Sequence, residues 1–208
     1  TVETSGHTLE IGGATVDAGA GGQWLLDPYD LTVDSSAAST IDSSLDGGTD
    51  VTLQTTASGT SGPGTANSSG NGDIFINSAL SWSGTGTLTL DAYRSIGINA
   101  NVTVAGGGGV VLRTNCDSDD ITDGDYSFAN GASLSFTSGS SAGASLNIHN
   151  TPYTLLYDMG DVQNIHTALA NHYALANALD GTSVSWTPVG NQANPFTGTF
   201  EGLGNTIS

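Results

Sequence analysis

Along this chain, apolar and polar residues alternate with a period of two over very short distances. Leu9-Glu10-Ile11 and Ala14-Thr15-Val16 open the pattern. Trp24-Leu25-Leu26, Leu31-Thr32-Val33, Thr40-Ile41 and Val51-Thr52-Leu53-Gln54-Thr55 continue it. Beyond a Gly/Ser/Pro-rich loop from Ala57 to Gly72 come Asp73-Ile74-Phe75-Ile76, Leu80-Ser81-Trp82, Thr87-Leu88-Thr89-Leu90 and Ser95-Ile96-Gly97-Ile98. Val102-Thr103-Val104, Gly109-Val110-Val111-Leu112, Ser133-Leu134-Ser135-Phe136 and Ser145-Leu146-Asn147-Ile148 complete the series. Each run has the pattern of a strand with one buried face.

Strands this short do not make a stable sheet in isolation, and their spacing is tighter than the 8–12 residues typical of a sandwich. Stacked turn upon turn, with roughly twenty residues per coil, they would form parallel ladders around a narrow apolar core. The pattern therefore predicts an all-β solenoid over residues 1–150. The text changes near Thr151. Tyr153-Thr154-Leu155-Leu156 predicts a further strand, and Val162, Ile165 and Leu169 at helical spacing predict one short helix near 158–170. Asp158 and Asp161 sit where the helix dipole favours them. Tyr173-Ala174-Leu175-Ala176 and Val184-Ser185-Trp186 return to strand, and Thr197 to Ile207 reads as strand, glycine turn and strand. Residues 151–208 are thus expected to form a final coil, a helix and a tail continuous with the stack.

Composition narrows the function classes. The 208 residues include 20 Asp plus Glu but only 2 Lys plus Arg, for a formal charge of −18. Such a chain has almost nothing with which to neutralise phosphates, which excludes an ordinary nucleic-acid binder and docking on an anionic membrane. No apolar run reaches the roughly 20 residues that span a bilayer as a helix. Charged residues are only 11% of the chain, and Ser, Thr, Gly and Asn fill the gap. Regularly recurring Val, Ile and Leu argue against disorder. The single cysteine, Cys116, excludes an internal disulfide framework, and the hydroxyl-rich acidic surface suits an extracellular setting. Thr1 in place of a start methionine and a final pattern cut short at Ser208 suggest a piece of a longer chain.

Several stretches resemble two known families. His172-Tyr173-Ala174-Leu175-Ala176-Asn177, Trp186-Thr187-Pro188-Val189-Gly190 and Pro195 to Ser208, with Phe200-Glu201-Gly202-Leu203-Gly204-Asn205-Thr206-Ile207, look like the entry into a GLUG repeat of large secreted bacterial surface proteins. Trp24 to Val33 and Asp73 to Thr114 are similar to segments of filamentous-haemagglutinin-like exoproteins. The resemblance implies a right-handed parallel β-helix in a secreted or cell-surface bacterial adhesin, exported by two-partner secretion or a related route. It implies a non-catalytic stalk acting in cell adhesion or biofilm attachment. Its partners would be a host or neighbouring-cell receptor or glycan, an outer-membrane export partner and, through self-association, further copies. The secretion domain that usually begins such proteins is not evident here.

No catalytic residue, cofactor or metal site is assigned. The acidic run Asn115 to Asp125, with Asp117, Asp119, Asp120, Asp123 and Asp125, offers oxygen ligands for Ca²⁺ but lacks EF-hand order, so a solvated loop is favoured. A carbohydrate-active enzyme is the alternative, with Asp119 and Asp120 or Asp27 and Asp30 as acid and base. Arg94 and Arg113 would be the only cations for an acidic substrate, and neither has a carboxylate cluster in its own segment. His7, His149, His166 and His172 are scattered outside any zinc motif. Gly139 to Gly143 resembles a nucleophile elbow only superficially, and Gly106 to Gly109 reads as a tight turn rather than a phosphate cradle. Cys116 lies among acids that disfavour its thiolate. Trp24, Trp82, Trp186, Tyr29, Tyr93, Tyr126 and Tyr153 would serve a glycan-binding module if several shared an exposed face, but core filling is the favoured reading. Thr87 and Thr89 are too few for an ice-binding ladder.

Overall fold

The computed structural model describes residues 1–5, 11–27, 30–55, 71–115 and 124–208. Five elements open the chain: β1 (Val2–Ser5), β2 (Gln23–Asp27), β3 (Leu31–Val33), α1 (Ser35–Asp46) and β4 (Asp50–Gln54). Then follow β5 (Ile74–Ile76), β6 (Leu80–Trp82), β7 (Thr87–Asp91), β8 (Ile96–Ile98), β9 (Val102–Val104) and β10 (Gly109–Arg113). The remainder comprises β11 (Tyr126–Phe128), β12 (Leu134–Phe136), β13 (Ser145–Ile148), β14 (Thr151–Leu156), α2 (Met159–Asn164), β15 (His172–Leu175) and β16 (Thr199–Glu201).

These strands assemble into three sheets. The first has nine strands in the order β1-β2-β4-β7-β10-β13-β14-β15-β16. The second is β11-β8-β5-β3 and the third β12-β9-β6. The alternation explains the core. Trp24, Leu26, Val51, Leu53, Leu88, Leu90, Val110 and Leu112 point inward from the first sheet. They meet Ile74, Ile76, Ile96 and Ile98 of the second and Leu80, Trp82, Val102, Val104, Leu134 and Phe136 of the third in one apolar cluster. Strands as short as β5 and β9, three residues each, therefore bury two large side chains.

The expected all-β right-handed parallel β-helix is corrected by two features. The fold is a mixed α/β arrangement, with a nine-stranded mixed sheet and two smaller parallel sheets, not a closed or solenoid β-helix. First, Thr40-Ile41 is not a strand but the middle of the twelve-residue helix α1. Asp34 caps it, accepting from the Ser36 and Ala37 amides at 2.9 Å each. Ala38, Ile41 and Leu45 form its buried stripe. Thr40 and Ser44 are buried beside them, their hydroxyls donating to the Ile11 carbonyl at 3.1 Å and the Val16 carbonyl at 2.9 Å. Those bonds remove the cost of burying hydroxyls in a helix face.

Second, the chain reverses after β13. His149 and Asn150 take φ of 50° and 62°, as a two-residue type I′ hairpin turn requires, and β14 pairs with β13 antiparallel. β15 and β16 then run parallel to β14, so the nine-stranded sheet continues across residue 150 with its last three strands reversed. Here α2, capped by Asp158 and followed by a 3₁₀ turn at Ile165–Thr167, is shorter than the helix expected over 158–170. Val162 of α2 and Ile165 of the turn pack on Leu156, Tyr173 and Leu175 in a second apolar cluster. Ala14–Val16 and Val184–Trp186 are not strands.

Two close backbone approaches shape the third sheet. The Trp82 indole donates to the Gly86 carbonyl at 3.0 Å, and a Cβ on Gly108 would lie 2.4 Å from that indole nitrogen. At the other end, Leu203 and Gly204 turn with φ of 54° and 77° against β12. The Leu134 amide donates to the Leu203 carbonyl at 2.9 Å. Asn205 completes the contact, its Nδ2 donating to the Leu134 carbonyl at 2.8 Å and its Oδ1 accepting from the Ser135 hydroxyl at 3.0 Å. A sheet edge that would otherwise present open backbone groups is thereby paired.

Candidate functional site

The outward positions of the first sheet line up because its strands are in register. Gln54 opposes Asp91, and Asp91 opposes Arg113. Leu112 opposes Ile148, so His149 stands directly beyond β13 at the same level. The result is a polar row crossing the ends of β4, β7, β10 and β13. Together with Thr114, Asn115 and Asn150 it lines an open cleft of about 480 Å³.

Charge and geometry in this cleft are specific. Arg113 Nη1 lies 3.6 Å from Asp91 Oδ2, with the guanidinium side chain 40% exposed. The buried Arg113 Nε and Asn115 Oδ1 have no hydrogen-bond partner among the described residues. Asn115 Nδ2 donates to the Gly124 carbonyl at 2.9 Å, which holds the side chain in place. Thr114 Oγ1 and His149 Nε2 are 3.4 Å apart. Of the five described non-glycine residues with positive φ, three (Asn115, His149 and Asn150) line this cleft. Two of them are the positions that the β13–β14 hairpin turn requires, so the turn itself forms one wall of the cleft.

The remaining sequence candidates fall elsewhere. Of the Asp27 and Asp30 pair, Asp30 has a defined structural engagement. Its Oδ1 accepts the backbone amides of Asn71, Gly72 and Asp73 at 3.1, 2.8 and 2.9 Å, which is a structural clamp. Asp46 likewise holds the Ser83 and Gly84 amides, and Asp50 holds that of Thr87. Neither arginine stands apart from carboxylates. Arg94 forms a two-pronged pair with the buried Asp73, its Nε donating at 2.8 Å and its Nη2 to the second oxygen, while Arg113 faces Asp91. The sequence missed both pairs because each joins residues about twenty positions apart through strand register.

His166 lies on the 3₁₀ turn and donates from Nδ1 to the Gln163 carbonyl at 2.6 Å, and His172 packs against the Tyr153 ring at 5.4 Å. Among the described residues no group of three His, Cys, Asp or Glu is placed to hold a metal ion. The acidic run at 116–123, with Cys116, Asp119 and Asp120, lies outside the described residues, as do His7 and Tyr29. Trp24 and Trp82 are fully buried, whereas Trp186 is 48% exposed. Tyr126 donates to Glu201, and burial reinforced by that carboxylate pushes its hydroxyl pKa upward. Gly139 and Gly143 flank a 3₁₀ turn, Ser140–Ala142, that connects β12 to β13.

Comparison with protein-family models, curated proteins and solved structures finds no match to this chain. The reading of the cleft therefore rests on its chemistry. It offers a carboxylate, a guanidinium, amides, a hydroxyl and an imidazole without an aromatic platform. Such a set suits a ligand rich in hydroxyls better than an apolar one. No helix among the described residues is long and apolar enough to cross a membrane.

Proposed function

We propose that this chain is a non-catalytic structural and adhesive segment of a large secreted or cell-surface bacterial protein of the filamentous-haemagglutinin-like kind. One observation carries the reading: most described acidic side chains with assigned contacts hold backbone, as Asp30, Asp34, Asp46 and Asp50 do, instead of converging in a reaction centre. Carboxylates used in this way fasten strand ends and helix starts to one another. What faces solvent is a broad acidic and hydroxyl-bearing surface, suited to contact with glycans or cell-surface receptors. Self-association is a further use of the same surface.

The test is attachment. Beads coated with the protein should be retained on cultured epithelial cells or on a bacterial biofilm well above beads coated with albumin. Retention equal to albumin would defeat the adhesive reading. Release of reducing ends from a polysaccharide panel would defeat the non-catalytic one.

A further inference from the structure

We infer that the row Gln54, Asp91, Arg113 and His149 is a binding strip for a neutral linear polysaccharide lying across the strands. This rests on the adhesive reading above and names its ligand class and site. Neighbouring strands stand about 4.8 Å apart, close to the length of one pyranose unit in an extended chain. A glycan laid along the row therefore meets a new side chain with each successive sugar, in step with β4, β7, β10 and β13.

The side chains match hydroxyl chemistry. A sugar hydroxyl both donates and accepts, Asp91 only accepts, Arg113 only donates, and Gln54 does both. The exposed part of the Arg113 guanidinium, steadied by the Asp91 pair, is the donor that a ligand reaches. Asn115 and Asn150, held at positive φ, fix the cleft wall before any ligand arrives. A wall set in advance lowers the ordering cost of binding. Charge selects among glycans: one guanidinium in a chain of net charge −18 does not attract a polyanion. The ligand is accordingly neutral.

Titration calorimetry with cellohexaose, mannohexaose and xylohexaose, and with hexagalacturonate as the anionic comparison, tests the strip. At least one neutral hexasaccharide should bind, and its disaccharide should bind at least about tenfold more weakly because fewer strands are engaged. Arg113→Gln should weaken binding about tenfold, the loss of one charge-assisted hydrogen bond. Gln54→Ala, a side chain on the outer face, supplies a second variant that does not disturb the ion pair and should weaken binding about threefold. Thr32→Ala, an exposed position on β3 of the second sheet and outside the cleft lining, should leave affinity unchanged. Absence of neutral hexasaccharide binding, tighter binding of hexagalacturonate, or unchanged affinity in both row variants would each overturn the proposal. Bead attachment separates this from the broader reading. Attachment that survives in both row variants retains adhesion and rejects the strip, whereas hexasaccharide binding without attachment retains the strip and rejects adhesion.

Discussion

Gly204→Ala is the sharpest single perturbation of this fold. Gly204 has φ of 77°, and an added Cβ would fall 2.2 Å from the Ala132 carbonyl oxygen and 2.9 Å from the Ser133 Cα. Both neighbours are backbone, so no side chain can rotate away. The left-handed conformation alone costs an alanine about 1–2 kcal/mol. Because the clash cannot be relieved in place, the turn must lift from β12. Lifting exposes Leu203, now 2% accessible, and breaks the Leu134 amide bond and both Asn205 side-chain bonds. Burial of a leucine is worth about 2 kcal/mol and each hydrogen bond about 1 kcal/mol, so the expected loss is about 5 kcal/mol. For a chain of this length that is a fall of roughly 10–20 °C in Tm. Gly202→Ala is the matched control. Its Cβ would meet only the Asn205 carbonyl at 3.4 Å, and its φ is not positive, so it should remain close to wild type. Urea and thermal unfolding followed by circular dichroism give the comparison. A Gly204→Ala protein as stable as Gly202→Ala would refute the placement of this turn on β12.

Further outcomes follow from other elements. Ile41→Ala should cost about 2–5 kcal/mol by the same urea titration, since Ile41 is fully buried on α1, whereas the exposed Thr32→Ala should be nearly neutral. The Asp42 carboxyl is pushed up to about 6, chiefly by burial, with Asp46 adding to the effect and the Ser81 amide opposing it. The folded state thus holds this proton more tightly than the unfolded chain, so stability should rise as pH falls from about 6 towards the ordinary value of 3.8. Asp42→Asn should remove that rise and, after allowance for solvent screening, add about 1 kcal/mol near neutral pH. Denaturant midpoints at pH 4.5 and 7.5 check it. Deleting 151–208 strips β14 from β13 and the Leu203 turn from β12, so the remainder should aggregate. A monomer by light scattering would contradict the edge pairing.

How far the fold could be read in advance depended on whether the deciding contact was local. The short alternating runs from Trp24 to Ile148 mark most strands because burial of every second residue leaves its trace within a single segment. α1 escaped notice because two of its five buried residues are the polar Thr40 and Ser44, whose hydroxyls reach Ile11 and Val16 far upstream as well as the carbonyls one turn back. The signals present were Asp34 as a cap, Ala38, Ile41 and Leu45 in helical phase, and Gly47-Gly48 at the end. The reversal at His149-Asn150 was hidden for another reason: a type I′ turn is usually announced by Asn-Gly or Asp-Gly, and here neither position is glycine. The cleft was illegible for a third. Gln54, Asp91 and Arg113 each end a five-residue strand, but only register shows that the three ends coincide.

The fit between Trp82 and Gly108 has an evolutionary corollary. The indole occupies the space that any side chain at 108 would need, while its own N–H is anchored on Gly86. The Gly86 carbonyl would lie 2.5 Å from the same Cβ and the Gly84 carbonyl 3.2 Å, so a smaller residue at 82 leaves position 108 still closed by backbone. Position 108 should therefore stay glycine in divergent copies even where position 82 changes, a constraint that outlasts the resemblance of the surrounding loops.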